Sequence, residues 1–231
     1  MVGNDIWSEA IIEPCDITKK TIFMTPDPDI TRGRKFEQVR RGASAIFLRD
    51  GFAGASVDDI ARAAQVSKAT LYTYFTDKSV MFREVMSASA AELFDPRMNL
   101  EPVDLPPDGH FADMLADVLS WALDPECLRL HRLAIAEAHR FPDCVGNYLR
   151  LREACIVQPI RAQIDLWISQ GSIREHDSDR SSRNVAAMLL GNAIPQALLG
   201  QVPDEGRIRA TARDCAWLFT LVHGIRQDTT A

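Results

Sequence analysis

Apolar residues recur every three to four positions through most of the chain, which predicts an all-α fold. Phe36, Val39, Ala43, Ile46 and Phe47 form the buried stripe of a first helix over residues 33–50, and Gly51-Phe52 ends it with a permissive residue and an apolar anchor. Val57, Ile60, Ala61 and Ala64 follow at i, i+3, i+4 and i+7, giving one face of a second, short helix. Ser56 stands ahead of it with Asp59 three residues on, the spacing of a capping box that ties down two free backbone donors. A tight turn at Gln65-Val66 delivers a second capping residue, Ser67, and Leu71 and Phe75 point inward as an i, i+4 pair. The core of this bundle would be Phe36, Val39, Phe47, Phe52, Val57, Ile60, Leu71 and Phe75, too small to be very stable alone. It should lean on the helices C-terminal to it.

A fourth helix over residues 77–94 carries Val80, Met81, Val85 and Ala88 on one side. Pro96, Pro102, Pro106 and Pro107 then interrupt the helical pattern, so residues 95–109 read as a loop. Further helices are expected over 111–123, over 126–140 after Pro125, and over 143–170 with Pro159 bending it. The next, capped by Asp177, should reach about residue 200 with Pro195 inside it, and a last one spans 205–226. Residues 1–30, with Pro14, Pro26 and Pro28 among acidic residues, read as a poorly ordered leader with a short helix near 6–12. The predicted organisation is a leader (1–30), a three-helix N-terminal domain (31–78) and a larger helical domain (79–231).

At 231 residues the chain can bury a substantial core, and its composition is ordinary for a soluble protein. The net charge of −6 hides a segregation. Residues 31–86 hold ten Lys and Arg against six Asp and Glu, whereas residues 1–30 hold two against six and residues 87–231 fourteen against twenty. Only the short helical head is basic, as expected of a segment that meets phosphate. Five scattered cysteines, Cys15, Cys127, Cys144, Cys155 and Cys215, lack CxxC pairing, and the odd count fits reduced thiols in a cytoplasm. No basic region followed by an apolar core marks a signal peptide. The longest apolar-rich run, residues 215–222, is far short of the ~20 residues of a membrane span.

With Leu71 and Phe75 inside, Lys68, Ala69, Thr70, Tyr72, Thr73 and Tyr74 share the outward and flanking surface of the third helix. A helix end with one cation, small residues, hydroxyls and aromatic rings suits a DNA major groove, whose width admits one helix. The pattern alone also fits an ordinary helical hairpin. The run VSKATLYTYFTDKSVMF, however, resembles the signature of the tetracycline-repressor (TetR) family of transcriptional regulators, a close variant of V-S-x-G-T-[LI]-Y-x-[HY]-F-x-x-K-x-x-[LM]-[FL]. Ala69 stands where glycine is common and Tyr74 where histidine is common; both remain compatible with DNA contact. RLAIAEAHRFPDC is further similar to a C-terminal subtype among efflux-type repressors.

The resemblance implies a homodimeric, ligand-responsive repressor that leaves a palindromic operator when a small hydrophobic or amphipathic effector binds. It places Lys68, Ala69, Thr70 and Thr73 near base edges, and Ser56, Ser67, Tyr72, Tyr74 and Lys78 against phosphates. For Lys78 the helix start adds its own attraction for an anion. Arg32, Arg34 and Lys35 read equally well as a basic arm and as a solvated helix start. The resemblance puts a pocket among helices four to eight, where Met114, Val118, Trp121, His131, Ile135, Cys155, Gln158, Trp167 and Asn192 are candidates, although most periodic Trp and Met residues are core. It puts the dimer face on the last two helices: Ala186, Ala187, Leu190, Gly191, Ile194 and Leu198 against Ala212, Cys215, Ala216, Phe219 and Val222, small residues among large ones. One recognition helix reads few bases, whereas two heads ~34–36 Å apart match a palindrome.

Other chemistry is thin. Cys127 and His131 share a helix face at i, i+4 with Glu137 and His139 nearby, too few ligands for a metal site, so no metal or cofactor is expected. No nucleophile elbow or Gly-rich phosphate loop stands out, and the chain does not read as an enzyme. A metal or redox sensor using Cys127 and His131, or a regulator with no small-molecule ligand, stays open as the alternative.

Overall fold

The computed structural model of the chain describes residues 33–93 and 101–224. The expected leader, Arg32, Cys15, the first part of the proline-rich loop and the end of the last helix fall outside these residues. Within them the chain forms α1 (Arg34–Gly54), α2 (Val57–Ala63), α3 (Lys68–Tyr74), α4 (Lys78–Leu93), α5 (Pro107–Ala122), α6 (Pro125–Glu137), α7 (Pro142–Ser169), α8 (Ser178–Leu190), α9 (Ala193–Leu198) and α10 (Glu205–His223). No strand occurs among the described residues; an isolated antiparallel bridge joins Ile173 to Gly224.

The N-terminal bundle forms where the periodicity puts it. Phe36, Val39, Phe47, Ile60, Leu71 and Phe75 are buried, while Phe52 and Val57 are half-buried. Gly42 lets α1 and α2 touch, because a Cβ there would lie 2.6 Å from both the backbone N and the Cβ of Ala64. Gln38 Nε2 donates to the Ala64 carbonyl across the same contact (2.8 Å). Ser56 caps α2 by accepting from Asp59 N (3.0 Å), but the reciprocal bond differs from a full capping box: Asp59 Oδ2 takes the Ser56 hydroxyl, not its backbone N–H. The α2–α3 turn is a Schellman motif, with Gln65 N–H on Arg62 O, Val66 N–H on Ala61 O, and Gln65 at φ 51°.

Three expectations shift. The single helix read over 177–200 is two, α8 and α9, parted at Gly191-Asn192. Pro195 is the cause: it has no N–H for the Gly191 carbonyl, and its ring would crowd that carbonyl in a continuous helix. On α4 Met81 and Val85 are buried as expected, but Phe82, Met86, Ser89 and Ala90 complete that face, while Val80 and Ala88 are only half-buried. α5 starts at Pro107, inside the expected loop. Upstream, residues 103–105 are stitched to α7. The fully buried Gln163 amide exchanges two bonds with the Val103 backbone (2.8 and 3.0 Å), and Trp167 Nε1 donates to Leu105 O (2.7 Å).

A second core joins α5, α7, α8 and α10, with Phe111, Leu119, Ile164, Trp167, Leu189 and Phe219 among its members. The N-terminal bundle leans on its neighbours through Phe52. Its ring is edge-on to Phe82 (5.4 Å) and Phe141 (4.9 Å) and stacks on Phe47 (6.2 Å). Gly51, at φ 70° and ψ 178°, breaks α1 just before this ring.

The Gly42 contact yields a test. Gly42→Ala should lower stability in urea by about 1–3 kcal/mol, because backbone atoms of Ala64 must move. Gly33→Ala, with nothing within 4 Å, loses only a helix-cap preference at the start of α1 and should cost about 1 kcal/mol or less.

Candidate nucleic-acid interface and cavity

α3 is short and carries its chemistry outward because only Leu71 among its residues is fully buried. Lys68, Ala69, Tyr72 and Thr73 are exposed, Tyr72 at 51%, whereas Thr70 and Tyr74 are half-buried. Ser67 caps the helix through Thr70 N (3.1 Å), and its hydroxyl also meets Thr70 Oγ1 (2.9 Å). The Tyr74 ring rests edge-on against Phe36 (5.9 Å), which fixes its direction from below. Lys68 Nζ pairs with Asp58 Oδ1 of α2 at 2.6 Å, and that carboxylate holds the ammonium above the usual lysine range. The pair is solvent-exposed and so contributes little to stability, and a phosphate can replace the carboxylate.

Lys78 departs from expectation. Its ammonium donates to Phe52 O (2.8 Å) and Ala55 O (2.9 Å), and it lies 4.4 Å from the Phe52 ring centroid. Those carbonyls are left over where α1 ends, so Lys78 serves as an internal cap rather than an outward phosphate contact. The first amides of α4 are likewise taken: Asp77 Oδ1 accepts from Ser79 N (2.6 Å) and Val80 N (2.9 Å). Ser56 is also engaged in capping its own helix.

Arg41 did not stand out from the sequence. It is exposed and lines a groove between α1 and the α2–α3 turn with Arg34, Gln38, Gly42, Ala64 and Gln65. Its neighbour Arg40 is buried and paired with Glu37 (2.7 Å) and Glu92 (2.5 Å). The signal was available: Arg40 falls on the Phe36, Val39, Ala43 stripe and Arg41 does not.

A cavity opens between α5, α6, α7 and α9, lined by Trp121, Ala122, Cys127, Leu128, His131, Tyr148, Arg152 and Ile194. The interior left open is about 10 Å³, roughly one water molecule. His131 Nδ1 and Tyr148 Oη share a hydrogen bond of 2.9 Å. Burial, and then the charge of Arg152, pull the His131 imidazolium down to about 4, so the ring is neutral at pH 7. Burial pushes the Tyr148 hydroxyl up to about 12. Beside His131 in sequence, Arg132 donates to Ala197 O (2.9 Å) and Leu198 O (3.1 Å), fastening the end of α9 to α6.

Of the nine expected pocket residues, Trp121 and His131 line this cavity. Met114, Val118 and Trp167 are packed in the core, as buried periodic residues usually are. Ile135, Gln158 and Asn192 are exposed, Ile135 at 57%, and Cys155 is half-buried. Those seven do not line it. Tyr148 and Arg152, which do, were missed because one reads as a core aromatic and the other as a solvated charge. The thiol reading is disfavoured: burial pushes Cys127 up to about 12 and Cys155 up to about 11, away from reactive thiolates. Among the described residues no three His, Cys, Asp or Glu side chains come together as a metal site.

The expected dimer face needs turning. Ala212, Cys215, Ala216 and Phe219 point into the core against α5, and Ile194 is buried, as is Ala186. Ala187, Gly191 and Val222 are exposed, and Leu190 and Leu198 half-buried. Exposed instead on α10 are Trp217 (63%), Leu218, Leu221 and Val222, with Met188 on α8. The inward and outward faces of α10 are both apolar, so periodicity could not assign them. No helix of the described residues is long and apolar enough to cross a membrane.

Comparison with known proteins meets this geometry at both ends of the chain. Residues 40–85 match the profile of bacterial regulatory proteins of the tetR family, and residues 111–224 that of the C-terminal domain of AefR-like transcriptional repressors. Over 104 residues the chain is 36% identical to the HTH-type transcriptional repressor SCO4008 of Streptomyces coelicolor, covering 45% of this chain. The match spans 49%, about half, of that curated relative's length. Among solved structures, a TetR-family transcriptional regulator from Mesorhizobium loti superposes with a TM-score of 0.74 at 24% identity, covering 83% of this chain and 98% of that one. The flavonoid-responsive regulator FrrA gives 0.65 at 24% identity, covering 84% and 100%. At these identities the structures establish a common fold. Matched in chain order by both profiles and by the fold, the protein belongs to the TetR family of bacterial regulatory proteins.

Proposed function

We propose that the protein is a homodimeric transcriptional repressor that binds a palindromic operator with α3 and releases it when a small molecule fills the cavity beside α6. The observation that carries this reading is the exposed face of α3, held on a buried Leu71–Phe75 base within the one basic stretch of the chain. Lys68, Ala69, Thr70 and Thr73 are the candidates for base edges; Tyr72, Tyr74, Ser67, Arg41 and Arg34 are those for phosphate. Lys78 and Ser56 act one step back, by fixing the ends of α1 and α2. Residues 31–78 form the DNA-binding head and residues 79–231 the sensing and pairing body. The protein works by binding, not turnover, in the cytoplasm.

Two heads are needed for affinity, and the apolar strip of Trp217, Leu218, Leu221, Val222 and Met188 suits pairing about a two-fold axis. Effector release would work as a population shift. The ligand can weaken DNA binding only by its differential affinity for the two head spacings, typically ~1–3 kcal/mol. A fold neighbour named for its response to flavonoids is consistent with a small-molecule signal.

The head is tested by fluorescence anisotropy on the DNA upstream of the gene. Tyr72→Ala should weaken binding about tenfold, and Lys68→Ala should reduce the salt slope by about 1, whereas Arg209→Ala on α10 should change neither. Unchanged affinity in the α3 variants would contradict the assignment. The pairing face is tested by sedimentation: Trp217→Glu combined with Leu221→Glu should turn a dimer into a folded monomer with weaker DNA binding. A variant that stays dimeric would contradict this face.

A further inference from the structure

Among the described residues that line the cavity, Arg152 is the only charged side chain once His131 and Tyr148 are neutral. It is half-buried, and no carboxylate of the described residues stands within ion-pair distance of it. Acidic residues around the cavity are engaged elsewhere: Glu153, its chain neighbour, pairs with Arg183, Glu126 pairs with Arg129, and Asp124, whose charge opposes ionisation of Cys127, caps α6 by accepting from Glu126 N. Its field nonetheless reaches into the cavity, where it opposes protonation of His131 and favours ionisation of Tyr148 and Cys127. The other walls, Trp121, Leu128 and Ile194, are apolar. A cation partly withdrawn from water beside apolar walls is stabilised most by an anion that brings its own apolar body.

We propose that the effector is an apolar carboxylic acid whose carboxylate meets the Arg152 guanidinium while its ring or chain lies against Trp121, Leu128 and Ile194. This rests on the reading of the cavity as the effector site and names its chemistry. The interior left open, about 10 Å³, is far below the ~300–1,000 Å³ usual for such sites, so an acid of one or two rings or of medium chain length needs space made for it. With room for about one water molecule in the closed form, the acid must part α6 from α7 to enter. α6 is also the helix that ends in Glu137, whose carboxylate holds the Phe52 N–H at the foot of α1 (3.1 Å). Filling the cavity therefore pushes on the helix that anchors the head.

The test uses the full-length protein at pH 7.5 and matched pairs in calorimetry: 2-naphthoate with 2-naphthamide, and decanoate with decanamide. At least one acid should bind about tenfold or more tightly than its amide. Arg152→Gln should lose that preference while binding the amide within about threefold of the parent, and Arg152→Lys should keep part of it. If neither acid outbinds its amide, or if the preference survives Arg152→Gln, the proposal falls. Upstream DNA in the same samples separates the two readings. Acids that bind through Arg152 without affecting DNA would leave the site standing and overturn its role as the effector site. Amides that release DNA as well as the acids do would keep that role and overturn the carboxylate.

Discussion

The arrangement depends on what happens to the backbone where α1 ends. Gly51 turns the chain out of the helix and leaves the Phe52 N–H and the Phe52 and Ala55 carbonyls without helical partners. Two charged side chains from other helices meet them: Glu137 at the end of α6 accepts the N–H, and Lys78 at the start of α4 donates to both carbonyls. Charge-assisted bonds to backbone groups offset the desolvation of both side chains, which neither ion would recover alone. Arg140 and Lys78 lie near the Phe52 ring, at 4.9 and 4.4 Å from its centroid, while Phe47, Phe82 and Phe141 pack around it. Three helices are thus tied to one residue.

That knot decides how a change in the body can reach the head. α6 carries His131 in the cavity wall and Glu137 at the knot, six residues apart, or ~9 Å along a helix. α4 begins at Lys78, just after the last turn of α3. A shift of α6 has to be absorbed at Phe52 or passed to α1 and α4, and close packing leaves little room to absorb it. On the proposed reading, this is a short mechanical route between the cavity and the helix that would face DNA. It uses backbone hydrogen bonds rather than a long chain of side chains.

Much of this was legible in the sequence. The first three helices, their two serine caps and their core followed from spacing, because short amphipathic helices with strong caps leave few alternatives. Gly51-Phe52 was legible as a stop. What periodicity could not reveal was the partner of each polar residue. Lys78 read as a phosphate contact because its place in the motif is next to DNA, yet two backbone carbonyls left by α1 claim it. The split between α8 and α9 lay in Pro195, whose missing N–H acts four residues upstream, on Gly191. On α10 apolar residues fill both faces, so Ala212, Cys215, Ala216 and Phe219 read as a partner surface when they are core, and Trp217 and Leu221 are the exposed ones. The cavity was least legible. Arg152 is marked by having no carboxylate of the described residues in ion-pair distance, which spacing does not record.

The central claim is that a basic helical head, fixed by the Phe52 knot and presented twice by a symmetric pair, binds duplex DNA. The most direct measurement is a salt titration of binding by the full-length protein to the DNA upstream of its gene, with stoichiometry determined at saturation. Two protomers per duplex, with log affinity falling against log salt at a slope steeper than about −4, would be the expected result. Binding by a single protomer, or an affinity insensitive to salt, would contradict the account.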